Sequence, residues 1–145
     1  MYSLEDFDRE KTRVMKFIVF KKRTEQEVRN KFASSIEENM LEDIIEYLKE
    51  AKYLDDKEYI DKTVNNFITL KNLSLKEVKY KLMAKGLNKD DIEDYFYENK
   101  DKLDEYEKKS ARNIFYKKQK EMYIEEIKQY LLKKGYKYDN IKFEE

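Results

Sequence analysis

Residues 74–82 read S-L-K-E-V-K-Y-K-L, residues 24–32 read T-E-Q-E-V-R-N-K-F, and residues 123–131 read Y-I-E-E-I-K-Q-Y-L. Laid over one another, the three place Val28, Val78 and Ile127 in one column, 50 and then 49 residues apart. The same offsets align Glu27, Glu77 and Glu126. They align Arg29, Lys79 and Lys128, and then Phe32, Leu82 and Leu131. Upstream they align Lys21, Lys71 and Lys120. Gly86 and Gly135, the two glycines of the chain, also share a repeat position. A period of this length marks tandem structural units.

Each stretch has the grammar of a helix. Thr24 and Ser74 suit N-caps, because a hydroxyl accepts from the free N–H groups of the first turn, and Glu27 and Glu77 three residues on complete a capping box. Val28 and Phe32, or Leu75, Val78 and Leu82, line one helical face. Gly86 and Gly135 stop the second and third copies, since glycine takes the left-handed position without penalty. The first copy has Ser34 and Ser35 there and needs another stop. In the third, Tyr123 stands where a cap belongs.

A helix precedes each of these. Val14, Phe17 and Ile18 make its stripe in the first copy and Val64, Phe67 and Ile68 in the second; in the third, Tyr116 aligns with Phe67 and Lys117 with Ile68. A third helix follows, marked by Ile44, Ile45 and Leu48, and then by Ile92, Tyr95 and Phe96 behind the cap Asn88. Asp55 with Glu58 opens the second copy. Only ten residues follow Gly135, so the last helix is short. These signals predict an all-α protein of three tandem three-helix repeats of about 50 residues. The repeats span 1–54, 55–100 and 101–145, in an elongated, curved array with the last one truncated. About nine helical segments and no sheet are expected, with neighbouring units sharing their cores.

The chain has 145 residues, with 44% charged and no cysteine, histidine, tryptophan or proline. No cysteine means no disulfide and no thiolate nucleophile. No histidine removes the usual neutral-pH base and the commonest metal ligand. Two glycines 49 residues apart cannot cradle a phosphate. The expectation is a protein that is not an enzyme, with no cofactor, no metal and no small-molecule substrate. No apolar run is long enough to span a membrane, and residues 1–10 lack a signal-peptide core, which points to the cytoplasm.

Lys plus Arg equals Asp plus Glu at 32 each, yet the charge is segregated. Residues 11–31 hold eight basic and two acidic residues; residues 37–58 hold three and nine. Residues 71–89 hold six and one, residues 90–107 two and nine, and residues 108–120 six and none. The first two helices of a copy are basic and the third is acidic. Oppositely charged faces pairing between neighbouring helices would explain this. So would a cationic edge built from Lys21, Lys71 and Lys120 with Arg29, Lys79 and Lys128. Such an edge suits a phosphate backbone or an acidic protein groove. Lys22, Arg23, Lys76, Lys117 and Lys118 flank it and complete the set of candidate contacts.

Four segments resemble the bacterial RecX regulators. Lys22, Arg23, Thr24, Glu25, Glu27, Val28, Lys31 and Phe32 look like that family's first-repeat signature, a basic residue followed by R-[ST]-E-x-E-[LV]. Residues 47–59, with Y-L-D-D at 53–56, look like its junction between repeats. L-M-A-K-G-L at 82–87 and L-L-K-K-G-Y at 131–136 look like its repeat endings. The resemblance runs from about residue 14 to residue 141. Departures are Ile60 where the family often has alanine, the missing glycine of the first copy, a neutral charge, and no strand-rich N-terminal segment of the kind longer members carry. The resemblance implies a non-catalytic monomer that binds the RecA filament on single-stranded DNA. It implies inhibition of the filament's ATPase, recombinase and coprotease activities, with at most weak direct DNA binding. The residues alone leave two alternatives, a helical repeat protein acting through its own DNA affinity and a general protein–protein scaffold.

Overall fold

The computed structural model describes residues 1–143, and every regular element among them is helical. The helices are α1 (Leu4–Phe20), α2 (Glu25–Phe32), α3 (Glu38–Glu50), α4 (Asp56–Leu70), α5 (Leu75–Ala84), α6 (Lys89–Glu98), α7 (Lys100–Lys118) and α8 (Ile124–Lys134). A single 3₁₀ turn, Tyr138–Asn140, follows. Nine helical segments and no strand among the described residues agree with the all-α expectation. The third element of the last copy is reduced to that turn.

The helix starts follow the cap chemistry. Thr24 Oγ1 accepts from Glu27 N–H at 3.1 Å while Glu27 accepts from Thr24 N–H at 3.0 Å. Ser74 and Glu77 form the same reciprocal box, both bonds at 3.0 Å. At α8 only half survives: Glu126 accepts from Tyr123 N–H at 3.0 Å, and the tyrosine ring supplies no cap. Asn88 caps α6 through Asp90 N–H at 2.7 Å.

The helix ends differ by copy. Gly86 and Gly135 sit at φ +81° and +104°, the left-handed region expected of them. After α2 the chain needs no left-handed residue: Ile36 N–H closes on Phe32 carbonyl at 3.0 Å, and Ile36 drops into the core. After α3 it is Lys52 that turns left-handed, at φ +66°, so that Tyr53 and Leu54 N–H both reach the Leu48 carbonyl.

The chain forms two compact units. One comprises Met1–Tyr59 with Lys85–Leu87; the other comprises Ile60–Ala84 and the described residues from Asn88 onward. The first is filled by Val14 and Ile18 of α1, Val28 and Phe32 of α2, and Ile44, Ile45 and Leu48 of α3. In the second, Ala111 of α7 is buried with Ile127 and Leu131 of α8, and Ile114 and Phe115 pack against them.

This packing corrects the expected register of α7. Tyr116 is 57% exposed and Lys117 points to solvent, so they are not the stripe. Ala111, Ile114 and Phe115 are, and they repeat Val64, Phe67 and Ile68 at an interval of 47 residues. The physical reason is a longer link between α7 and α8. Val64 and Val78 are 14 residues apart, whereas Ala111 and Ile127 are 16. An alignment anchored on α8 carries its offset through that insertion.

Within each unit one helix start is locked onto one helix end. Thr24 Oγ1, fully buried, donates to the Lys85 carbonyl at 2.8 Å, and the Gln26 side chain lies on Gly86. Ser74 Oγ, equally buried, donates to the Lys134 carbonyl at 2.8 Å, and the Lys76 side chain lies on Gly135. The two glycines therefore serve a close approach as well as a turn.

Candidate functional site

The candidate cations of the first unit have unequal freedom. Lys21 is exposed at the end of α1. Lys22 pairs with Glu58 at 2.6 Å. The Arg23 guanidinium stacks over Phe17 at 4.0 Å, with its Nε buried and unbonded. Arg29 donates from Nε to Glu25 at 3.1 Å and with both terminal nitrogens to Glu42 on α3. Its hydrogen bonds to Glu42, opposed by burial and aided by the bond to Glu25, hold it protonated far above the ordinary range. The same contact, opposed by burial, pulls the Glu42 carboxyl below its ordinary range.

In the second unit Lys79 repeats the Arg29 pattern. Its ammonium reaches Glu93 on α6 at 3.3 Å and lies over Phe96 at 4.8 Å. Lys128 touches Glu125 at 4.0 Å, and Lys76 lies over Tyr80 at 5.9 Å. Lys118 shares the Tyr130 ring with Lys134, at 4.5 and 5.3 Å. Lys71 lies 5.6 Å from the Phe67 ring, and Lys117 and Lys120 face solvent. For Arg29 and Lys79, pairing between a basic and an acidic helix accounts for the charge. Among the described residues Lys21, Lys71, Lys117 and Lys120 have no ion pair. The α7 register makes Lys118, seven residues past Ala111, the counterpart of Lys71, in place of Lys120.

Sequence reasoning missed two features. The first is Glu107 on α7, fully buried, where α4 carries Ile60. Its Oε2 accepts from Leu75 N–H at 2.6 Å, and its Oε1 from Lys137 N–H at 2.9 Å and Asn140 Nδ2 at 2.8 Å. Leu75 opens α5, so the positive end of that helix faces the carboxylate. In a run of nine acids this glutamate looks like any solvated one, and no local signal marks it. Around it, burial raises the phenols of Tyr106 and Tyr136 above their ordinary value. Asp104, at the rim, is drawn low: burial opposes this, and the hydrogen bond from Lys137 at 3.1 Å, that lysine's charge, the Asn140 amide and the Lys100 charge together outweigh it.

The second is a pair of grooves beside the ends of α1 and α4. The α1 groove, about 300 Å³, runs between Ile18, Val19 and Lys22 on one side and Tyr53, Asp55 and Glu58 on the other. The α4 groove, about 710 Å³, lies between Leu70, Lys71 and Asn72 and the α7 residues Lys102, Lys109 and Arg112. The basic run at residues 108–120 was the available signal for it.

No protein-family model matches the chain. The regulatory protein RecX of Clostridium botulinum (strain Eklund 17B / Type B) is 36% identical over 131 residues, covering 83% of this chain and 59% of the relative. The regulatory protein RecX of Clostridioides difficile (strain 630) is 28% identical over 144 residues, covering 95% and 67%. The chain thus spans rather more than half the length of curated relatives it matches. The crystal structure of RecX from Lactobacillus salivarius superposes with a TM-score of 0.81 at 24% identity, covering 96% of this chain and 94% of the other; that likeness shows the fold. No helix among the described residues is long and apolar enough to cross a membrane.

Proposed function

Because the chain belongs to the RecX family of regulatory proteins, we propose that it is a non-enzymatic regulator that binds the RecA–DNA filament and lowers its ATPase, recombinase and coprotease activities. The observation that carries this reading is the repetition of one interlock. A buried hydroxyl seats a helix start on a glycine turn at Thr24 and again at Ser74. Repetition on a period of about 50 residues suits a partner that itself repeats, and a filament presents identical subunits in series. We treat the chain as three units in tandem, with Lys21, Lys71 and the third-copy lysines 117, 118 and 120 meeting successive subunits. The protein acts as a monomer in the cytoplasm.

RecA-coupled ATP hydrolysis on single-stranded DNA tests this. Added protein lowers the rate in a concentration-dependent way, and an unchanged rate with no filament binding defeats the reading. A second reading, action through the chain's own DNA affinity, draws on Lys21, Lys71, Lys117 and Lys120, which are among the lysines without ion pairs. Binding to DNA without RecA that falls steeply as salt rises would favour it.

A further inference from the structure

We propose that the groove between the end of α4 and α7 is a docking site for an acidic peptide segment bearing an apolar side chain. If the regulatory reading above holds, that segment belongs to the filament protein. Three observations point there.

The groove holds uncommitted positive charge. Lys71, Lys109 and Arg112 line it, and none has a carboxylate partner among the described residues. Lys102 is spent on Asn65 Oδ1 at 2.8 Å. Glu105, the acid on this lining, is drawn to Lys108 at 3.5 Å. The corresponding groove at the end of α1 is closer to balance: Lys22 pairs with Glu58, and Asp55 shares the lining with Arg23 and Lys52, so three cations face two acids there, where the α4 groove sets four cations against one acid. A feature of the repeat alone would have the same charge in both places.

The groove also lacks what a single strand needs. Its one aromatic residue, Tyr106, is 8% exposed, and its hydroxyl donates to the Lys71 carbonyl at 2.7 Å and accepts from Leu73 N–H at 2.9 Å. Bases find no open ring on which to stack. A peptide finds suitable groups. Leu70, 77% exposed, stands at the rim among the cations. The Asn113 amide donates to Asn72 Oδ1 at 3.1 Å, which leaves Asn72 Nδ2 and Asn113 Oδ1 to meet a peptide backbone.

The test uses the full chain and fluorescence anisotropy with three labelled probes: a peptide alternating Glu and Leu, its Lys and Leu counterpart, and an oligothymidine of matched length. The Glu–Leu peptide should bind best. Reversing Lys109→Glu and Arg112→Glu together should weaken it about tenfold, while Lys81→Glu with Lys133→Glu, exposed elsewhere on the same unit, leaves it unchanged. Leu70→Ser should weaken it without altering its salt dependence. Tighter binding of the oligothymidine, or an equal loss in the control pair, overturns the proposal. A photoreactive Leu70→benzoylphenylalanine chain on RecA filaments then locates the segment. An adduct on an acidic stretch of RecA supports the proposal, and an adduct on DNA or on no chain overturns it. Wild-type ATPase inhibition, measured alongside, keeps the outcome for the regulatory reading separate.

Discussion

The seat of α2 on residues 85–86 and the seat of α5 on residues 134–135 are the same joint made twice. In each, a buried hydroxyl accepts from its own helix and donates to a carbonyl 61 or 60 residues away, and a side chain two residues on covers a left-handed glycine. They differ in the anion at the first helical N–H. Asp56, partly exposed, accepts from Glu25 N–H at 3.1 Å. Glu107, fully buried, accepts from Leu75 N–H and from two donors of the C-terminal segment. The lesson is that a repeat can keep its joint while one copy turns a surface contact into a core one. A buried carboxylate needs no cation when a helix start and two further N–H groups converge on it.

That difference sets the largest expected effect. Glu107→Ala strands three donors in the second joint and should cost about 4 kcal/mol in urea denaturation. Asp56→Ala removes the partly exposed acceptor of Glu25 N–H and should cost about 1 kcal/mol. Amide exchange at Leu75 and Lys137 should accelerate in the first variant only. Equal losses in the two variants would mean that the buried anion adds nothing to the joint.

The glycines come next, and here the first joint is the tighter one. A Cβ on Gly86 would lie 2.4 Å from Gln26 Cβ, and one on Gly135 would lie 2.8 Å from Lys76 Cβ, both at positive φ. Gly86→Ala should cost about 3 kcal/mol and Gly135→Ala about 2 kcal/mol, from backbone strain plus overlap. Adding Gln26→Gly to Gly86→Ala should recover the overlap but not the strain. If it recovers nothing, the close approach is not what demands glycine.

The hydroxyls follow. Read from sequence, Ser74 is a cap worth about 1 kcal/mol. In the structure it also holds the Lys134 carbonyl, so Ser74→Ala should cost about 2 kcal/mol, and Thr24→Ala as much. A loss no larger than that of the single-function cap Asn88→Ala would show that the distant carbonyl contributes little.

What was legible in the sequence was local. The boxes at Thr24 and Ser74, the two glycine stops and the stripes of α1, α2, α4 and α5 all follow from residues within one or two turns of each other. What was hidden was long-range. Nothing near Gly86 announces Gln26, 60 residues earlier, and nothing near Glu107 distinguishes it from the eight other acids in its run. The α7 stripe was misplaced by the two-residue insertion before α8, because tertiary packing, not the repeat of α8, sets it. For the site, the basic character of residues 108–120 was readable. The pairing of Arg29 and Lys79 with acids, and the freedom of Lys109 and Arg112, depend on how close α3, α6 and α4 come.

The smallest effect concerns the link between the second and third helices of a copy. Arg29 reaches Glu42 with two terminal nitrogens and holds Glu25 as well, while Lys79 meets Glu93 through one ammonium. A planar fork matches a carboxylate better than a point charge, so Arg29→Met should cost more than Lys79→Met at neutral pH. Both side chains of the Arg29–Glu42 pair are exposed enough, at 31% and 47%, for water to screen them, so the loss is under about 1 kcal/mol. The sign of its pH dependence follows from Glu42. Arg29 depresses the folded carboxyl, so the contribution is complete above the unfolded carboxylate value near 4.3. It disappears as pH falls through the lower folded value. Arg29→Met should therefore lose stability relative to wild type at pH 7 and converge with it in acid, and Glu42→Gln should do the same. A gap that persists unchanged at the lowest pH would trace the effect to lost packing of the arginine stem rather than to its charge.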